Sequence, residues 1–100
     1  MPSYQVSVTH SLGLPAARAR VEQFLEAVQR DYAEHVRNVS GEWQENELNF
    51  RFAVSGLNVS GTLNVADTGV EVKGPLPLLA AMFRSRIEQQ IRDELTKLLS

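Results

Sequence analysis

The chain has 100 residues, 43% hydrophobic and 22% charged, with a formal net charge of −2 and no cysteine. That is ordinary globular composition, and the length suits one domain (1–100) around one core. It excludes a disulfide framework, a thiolate metal site and a cysteine nucleophile, and it weighs against non-specific nucleic-acid binding, which rests on neutralising phosphates with cations.

The N-terminal stretch lacks a basic segment followed by an apolar run, and no apolar run approaches 18 residues. The sequence therefore predicts neither a signal peptide nor a transmembrane segment, and a cytoplasmic location. Tyr4, Val6, Val8 and His10 alternate with polar residues, the pattern of a half-buried strand. Gly13 breaks it, and Pro15 suits the first helical position, where its missing N–H costs nothing. Ala17, Val21, Phe24, Leu25, Val28 and Tyr32 then recur at helical spacing, predicting a helix over 15–36. In its last turn His35 would face the helix dipole.

Residues 37–73 predict a β meander. Val39, Gly41 and Trp43 share one face of its first strand, and 44–47 form a turn. Leu48, Phe50, Phe52 and Val54 alternate with polar positions. Ser55-Gly56 turns the chain. Leu57, Val59, Gly61, Leu63 and Val65 make the next strand, and Ala66–Gly69 reads as a hairpin turn with Gly69 able to take positive φ. Val70 and Val72 complete the last strand. One apolar face per strand means an antiparallel sheet covered on one side. A final helix is predicted over 77–99, with Pro77 at its first position. The order β-α-β-β-β-β-α gives a two-layer α+β fold: a curved antiparallel sheet of about five strands with two helices on one face.

The last helix carries the candidate surface. At about 100° per residue, Leu76, Ala80, Phe83, Ile87, Ile91, Leu95 and Leu98 form one core stripe. Leu79 borders it, whereas Leu78 and Met82 point away. Residues 77–99 would span about 34 Å as a helix, against about 20–27 Å for strands of six to eight residues. The helix should therefore overhang the sheet, leaving Leu78 and Met82 for a partner, or for a loop or residues 1–4 to cover. Arg84 and Arg86 would rim such a patch. An exposed apolar cluster of this kind marks interaction sites.

The chemistry-bearing residues are sparse. His10 ends a strand beside a helix start, which suits a general base or an anion contact as well as a capping histidine. Trp43, the only tryptophan, suits a core position or a binding face. The acidic residues form no metal or acid/base cluster, and no phosphate-binding or nucleophile motif is present. The residues predict no catalysis, no cofactor and no metal.

Several stretches together resemble a known family. They are His10-Ser11-Leu12-Gly13 at the end of the first strand, Ala17-Arg18 in the first helix and the strand Gly61-Thr62-Leu63-Asn64-Val65. Leu78-Leu79, Phe83, Arg86-Ile87-Glu88, Ile91 and Leu98-Leu99 complete the pattern. Their order and spacing resemble the polyhydroxyalkanoic acid system proteins of bacteria, also described as polyhydroxyalkanoate granule regulatory proteins. The resemblance covers nearly the whole chain. It implies a cytoplasmic protein linked to polyhydroxyalkanoate storage, and it brings no catalytic residues. The leading expectation is a non-enzymatic interaction or regulatory protein. It would self-associate as a homodimer, or bind a granule surface or granule protein, through Leu78, Leu79, Met82, Arg84 and Arg86. His10 and Trp43 are the candidate ligand or anion contacts. The alternative is a carrier of a small apolar ligand, held in a cavity of the helix-grip type.

Overall fold

The computed structural model describes residues 2–31, 33–54 and 56–100. Tyr32, expected in the core, Ser55, expected in a turn, and the side chains of Val54 and Leu57 lie outside the described residues. The elements run β1 (Ser3–Thr9), α1 (Leu14–Asp31), β2 (Val36–Gln44), β3 (Glu47–Val54), β4 (Leu57–Val65) and β5 (Gly69–Pro75). A 3-10 helix (Leu78–Phe83) and α2 (Arg84–Leu99) follow. The α+β architecture and the order β-α-β-β-β-β-α are as expected.

All neighbouring strands are antiparallel, in the order β1-β5-β4-β3-β2. The meander thus supplies four strands in sequence, and β1 closes on the far side of β5. Alternation sorts the two faces. The central row facing the helices is Val6, Val72, Leu63, Leu48 and Trp43. The adjacent row on the opposite face is Gln5, Lys73, Thr62, Asn49 and Glu42, polar throughout.

One row on the helix side is unusual. Tyr4 pairs with Gly74, and Gly61 with Phe50, which in turn lies across from Gly41. The Tyr4 hydroxyl passes over Gly61 and Gly74, where any Cβ would meet it, and donates to the Ser60 carbonyl at 2.9 Å. Gly41 likewise leaves room for Leu25, whose Cδ2 stands 2.8 Å from where a Cβ would sit. These glycines trade strand propensity for space under an aromatic ring and a helix. Tyr4, Val6, Leu48, Leu63, Val70 and Val72 form one core with Ala17, Val21, Leu95 and Leu99. The space between the helices and the sheet is therefore filled with side chains.

Both helices differ from expectation at their ends. α1 stops at Asp31, and β2 begins at Val36, so His35 lies in the connecting turn and not in the last helical turn. Phe24, placed in the apolar stripe by its spacing, is 41% exposed because the core contacts of α1 run through Ala17 and Val21. Positive φ falls on Gly13, Gly56, Asn38 and Glu45. Gly69 does not need it: it sits in the β1–β5 ladder opposite Thr9. α1 packs against α2, and Arg20 of α1 donates to the Leu98 and Ser100 carbonyls at 3.0 and 3.1 Å. This satisfies carbonyls that a helix end leaves without partners.

The two sheet edges are closed by different means. On β1, Glu88 accepts the Gln5 N–H at 2.9 Å and Arg92 donates to the Ser7 carbonyl at 3.0 Å. Residues four apart on α2 thereby occupy backbone groups that would otherwise template another strand. On β2, the register shifts between Arg37 and Ser40, with Asn38 at φ 56°. A bulge of this kind bends an edge away from further pairing.

Candidate functional site

The sheet ends firmly just before the candidate surface. The Leu76 N–H donates to the Pro2 carbonyl at 2.9 Å, and Leu76 is buried. Pro77 follows with φ −58° and ψ 148°, an extended conformation, so it does not occupy the first position of a helix. The next six residues form a 3-10 helix, tied by the Ala80 N–H to the Pro77 carbonyl at 2.9 Å and by the Arg84 N–H to the Ala81 carbonyl. No side chain caps it. Phe83, at φ −103° and ψ 15°, marks the change to α2.

That geometry changes which residues face out. A 3-10 helix turns in three residues, so the 3.6-residue wheel does not apply to 78–83. Ala80 and Ala81 are half-buried, while Leu78, Leu79 and Met82 are each 82% exposed and Phe83 51%. Phe83, expected in the core stripe, and Leu79, expected at its edge, therefore belong to the exposed cluster with Leu78 and Met82. The small residues turn inward and the large apolar ones outward, the reverse of what burial alone selects. Among the described elements, the turn's substantial packing is with α2, the helix it leads into.

Two cations follow the cluster directly in the chain. Arg84 stands 3.6 Å from Glu88, and Arg86 is exposed with no ion pair among the described residues. On the polar face of the sheet, next to the end from which the turn springs, lies a shallow depression of about 430 Å³. Asn49, Arg51, Ser60, Thr62, Lys73 and Pro75 line it. Within it Thr62 donates to Asn49 Oδ1 at 3.1 Å, leaving Arg51 and Lys73 exposed.

His10 and Trp43 lie elsewhere and apart from each other. The His10 ring engages backbone on both sides: Nε2 meets the Ala66 carbonyl at 3.0 Å, and Nδ1 accepts the Leu12 N–H at 3.2 Å. The proton therefore sits on Nε2. The ring ties the end of β1 to the β4–β5 hairpin. Trp43 ends the central core row at the β2 edge, with the Arg18 guanidinium 4.4 Å from its ring centre, a cation–π stack. Arg18 in turn lies 3.4 Å from Glu22. The structure thus gathers Leu78, Leu79, Met82, Arg84 and Arg86 on one stretch of chain and leaves His10 and Trp43 in separate packing roles. Sequence reasoning missed Phe83 as part of this surface, and it did not place Arg51 and Lys73 toward the end of the sheet from which the turn springs. The two-proline segment Pro75-Leu76-Pro77 was the available signal that an α-helix does not start at once.

Among the described residues, no group of three or more His, Asp or Glu side chains is placed to hold a metal ion. No helix is long and apolar enough to cross a membrane. Tyr4 has its hydroxyl pushed up to about 12 by burial, as the packing over Gly61 and Gly74 requires.

The fold and its surface define a small two-layer α+β protein whose most distinctive surface feature is an exposed apolar turn. The chain belongs to the family described as putative polyhydroxyalkanoic acid system protein, which matches residues 4–99. The family's name links the chain to the polyhydroxyalkanoate system. No curated protein and no solved structure matches it.

Proposed function

We propose that this chain is a non-catalytic interaction module of polyhydroxyalkanoate storage, working in the cytoplasm. It attaches to the granule surface by inserting the apolar side chains of Leu78, Leu79, Met82 and Phe83. The observation that carries this reading is that three of these side chains are 82% exposed, with no covering element among the described residues. Burying a large apolar side chain is worth about 1.5–3 kcal/mol, so four such groups offer several kcal/mol even after the cost of association.

A granule surface suits this turn better than a second copy. A stable dimer buries about 800 Å² and 20–30 residues on each partner, whereas the turn has six residues. Sheet extension is no easier. Glu88 and Arg92 occupy the β1 edge. On the bulged β2 edge, pairing two copies about the centre of the regular stretch 40–44 would set Glu42 against Glu42.

Leu78→Glu combined with Met82→Glu tests the reading. Both positions are exposed, so the fold and its stability should stay within about 0.5 kcal/mol. The granule-bound fraction of the protein should fall at least tenfold in a sedimentation assay. Unchanged partition would sink the proposal. If light scattering instead shows a dimer that the same variant splits into monomers, the turn serves self-association.

A further inference from the structure

We infer that the surface entered by the 78–83 turn is anionic, a layer of acidic lipid headgroups and not a bare polymer. This inference rests on the docking reading above and adds the chemistry of its partner.

The observation is how charge is distributed along the strands. The register places the start of β1, the end of β5, the end of β3 and the start of β4 at one end of the sheet, where the turn emerges. Lys73 and Arg51 lie toward that end on the polar face, and Arg84 and Arg86 follow the turn directly. All four are exposed. At the opposite end, the β2–β3 and β4–β5 turns carry Glu45 and Asp67, and Glu47 opens β3. Asp31 and Glu34 lead into β2 at the turn's own end of the sheet, and Glu88 faces Arg84, but Arg37, Arg51, Lys73, Arg84 and Arg86 outnumber them there. A chain of formal net charge −2 therefore presents more cations than carboxylates at the end that carries the apolar cluster.

The size of the cluster gives charge a role. One small apolar insertion, like one acyl chain, holds a protein to a lipid surface only marginally, and firm attachment takes a second signal. Cations at an anionic surface supply it, at roughly fivefold in affinity for each Lys or Arg near the headgroups. Here cations precede and follow the inserted residues along the chain, Lys73 before them and Arg84 and Arg86 after. Arg51 and Lys73 come from the sheet, and Arg86 comes from the helix. Arg84 is partly engaged by Glu88 at 3.6 Å, so the variants below target Lys73 and Arg86.

The test is flotation of the full chain with vesicles of phosphatidylcholine alone and with vesicles containing about 30% phosphatidylglycerol, at low salt and near 0.5 M salt. The expected result is binding at least tenfold tighter to the anionic vesicles, largely lost at high salt as the charges are screened. Lys73→Gln with Arg86→Gln should weaken it about 10- to 30-fold, and Leu78→Glu with Met82→Glu should abolish it. Equal binding to both vesicles, or no effect of the Lys73 and Arg86 changes, overturns the anionic inference. So does binding to uncoated polyester particles with none to vesicles, which leaves the docking reading standing. Binding that survives Leu78→Glu with Met82→Glu overturns the docking reading itself.

Discussion

The two helices are announced by the same dipeptide, Leu14-Pro15 and Leu76-Pro77, yet the chain behaves in opposite ways after each. At the first, the chain enters α1 at once. Asp67, reaching over from the β4–β5 hairpin, accepts the Leu14 N–H at 3.1 Å, and the Ala17 N–H bonds the Gly13 carbonyl at 3.0 Å. Ala17 is then completely buried. At the second, Pro77 stays extended, no side chain caps the turn, and the next large apolar residues stand in solvent. A local start signal is therefore permissive. Tertiary partners decide whether a helix forms on it and what that helix buries. The first start has those partners, and the second has an open surface in their place.

The sharpest way to break this contrast is at Gly74, two residues before Leu76. The proposal requires the slack to begin after Pro77 and the sheet beneath to be rigid. A Cβ on Gly74 would collide with the Ser60 carbonyl oxygen and stand 2.9 Å from both Gly61 Cα and the Tyr4 hydroxyl. Two of these three atoms are backbone and cannot swing aside. Gly74→Ala should therefore cost about 3 kcal/mol or more in denaturant unfolding, at the upper end of overpacking effects. A loss below about 1 kcal/mol would mean that the yielding region extends into β5.

Tyr4 measures the same rigidity by titration. Its pKa is about 12 in the folded chain because burial disfavours the phenolate, against about 10 when unfolded. Above pH 10 the unfolded chain has lost this proton while the folded one still holds it. Stability should thus be unaffected by Tyr4 below pH 10 and fall as pH rises from 10 to 12, by about 1.4 kcal/mol per pH unit. Urea midpoints of the parent and of Tyr4→Phe, compared at pH 9 and pH 11.5, isolate the effect from other groups. Parallel pH dependences would show that the ring is solvated, and that the sheet beside the turn is looser than its packing implies.

Much of this architecture was legible in the chain because period-two alternation reports directly on which face a strand buries. Leu48, Phe50 and Phe52 identified β3, and the run through Gly61 and Leu63 identified β4. The surface was legible in part. Leu78 and Met82 were assigned outward, and they are exposed, but the wheel that put them there assumed 3.6 residues per turn. Phe83, assigned to the core stripe, went wrong for that reason, and Leu79, assigned to its edge and to the surface, stands as exposed as Leu78 and Met82. The placement of Arg51 and Lys73 toward the end of the sheet from which the turn emerges could not be read at all, since it is a consequence of strand order and register. Likewise nothing local in Glu88 and Arg92 shows that they close the β1 edge, because their partners, Gln5 and Ser7, lie far away in sequence.

The smallest predicted effect tests the comparison where it began. Asp67 caps α1 from outside the helix, so Asp67→Ala removes a carboxylate hydrogen bond to an exposed helix N-terminus, worth about 1 kcal/mol. Leu78→Ser at the other start removes an apolar side chain that is 82% exposed, so it should change stability by less than about 0.5 kcal/mol in either direction. Thermal unfolding of both variants beside the parent reads the two numbers together. If Leu78→Ser destabilises as much as Asp67→Ala, then Leu78 packs within the monomer, the two helix starts are equivalent after all, and the turn is no docking surface. If Asp67→Ala alone lowers the melting temperature, tertiary anchoring is what separates them, and Leu78 remains exposed for a partner outside the chain.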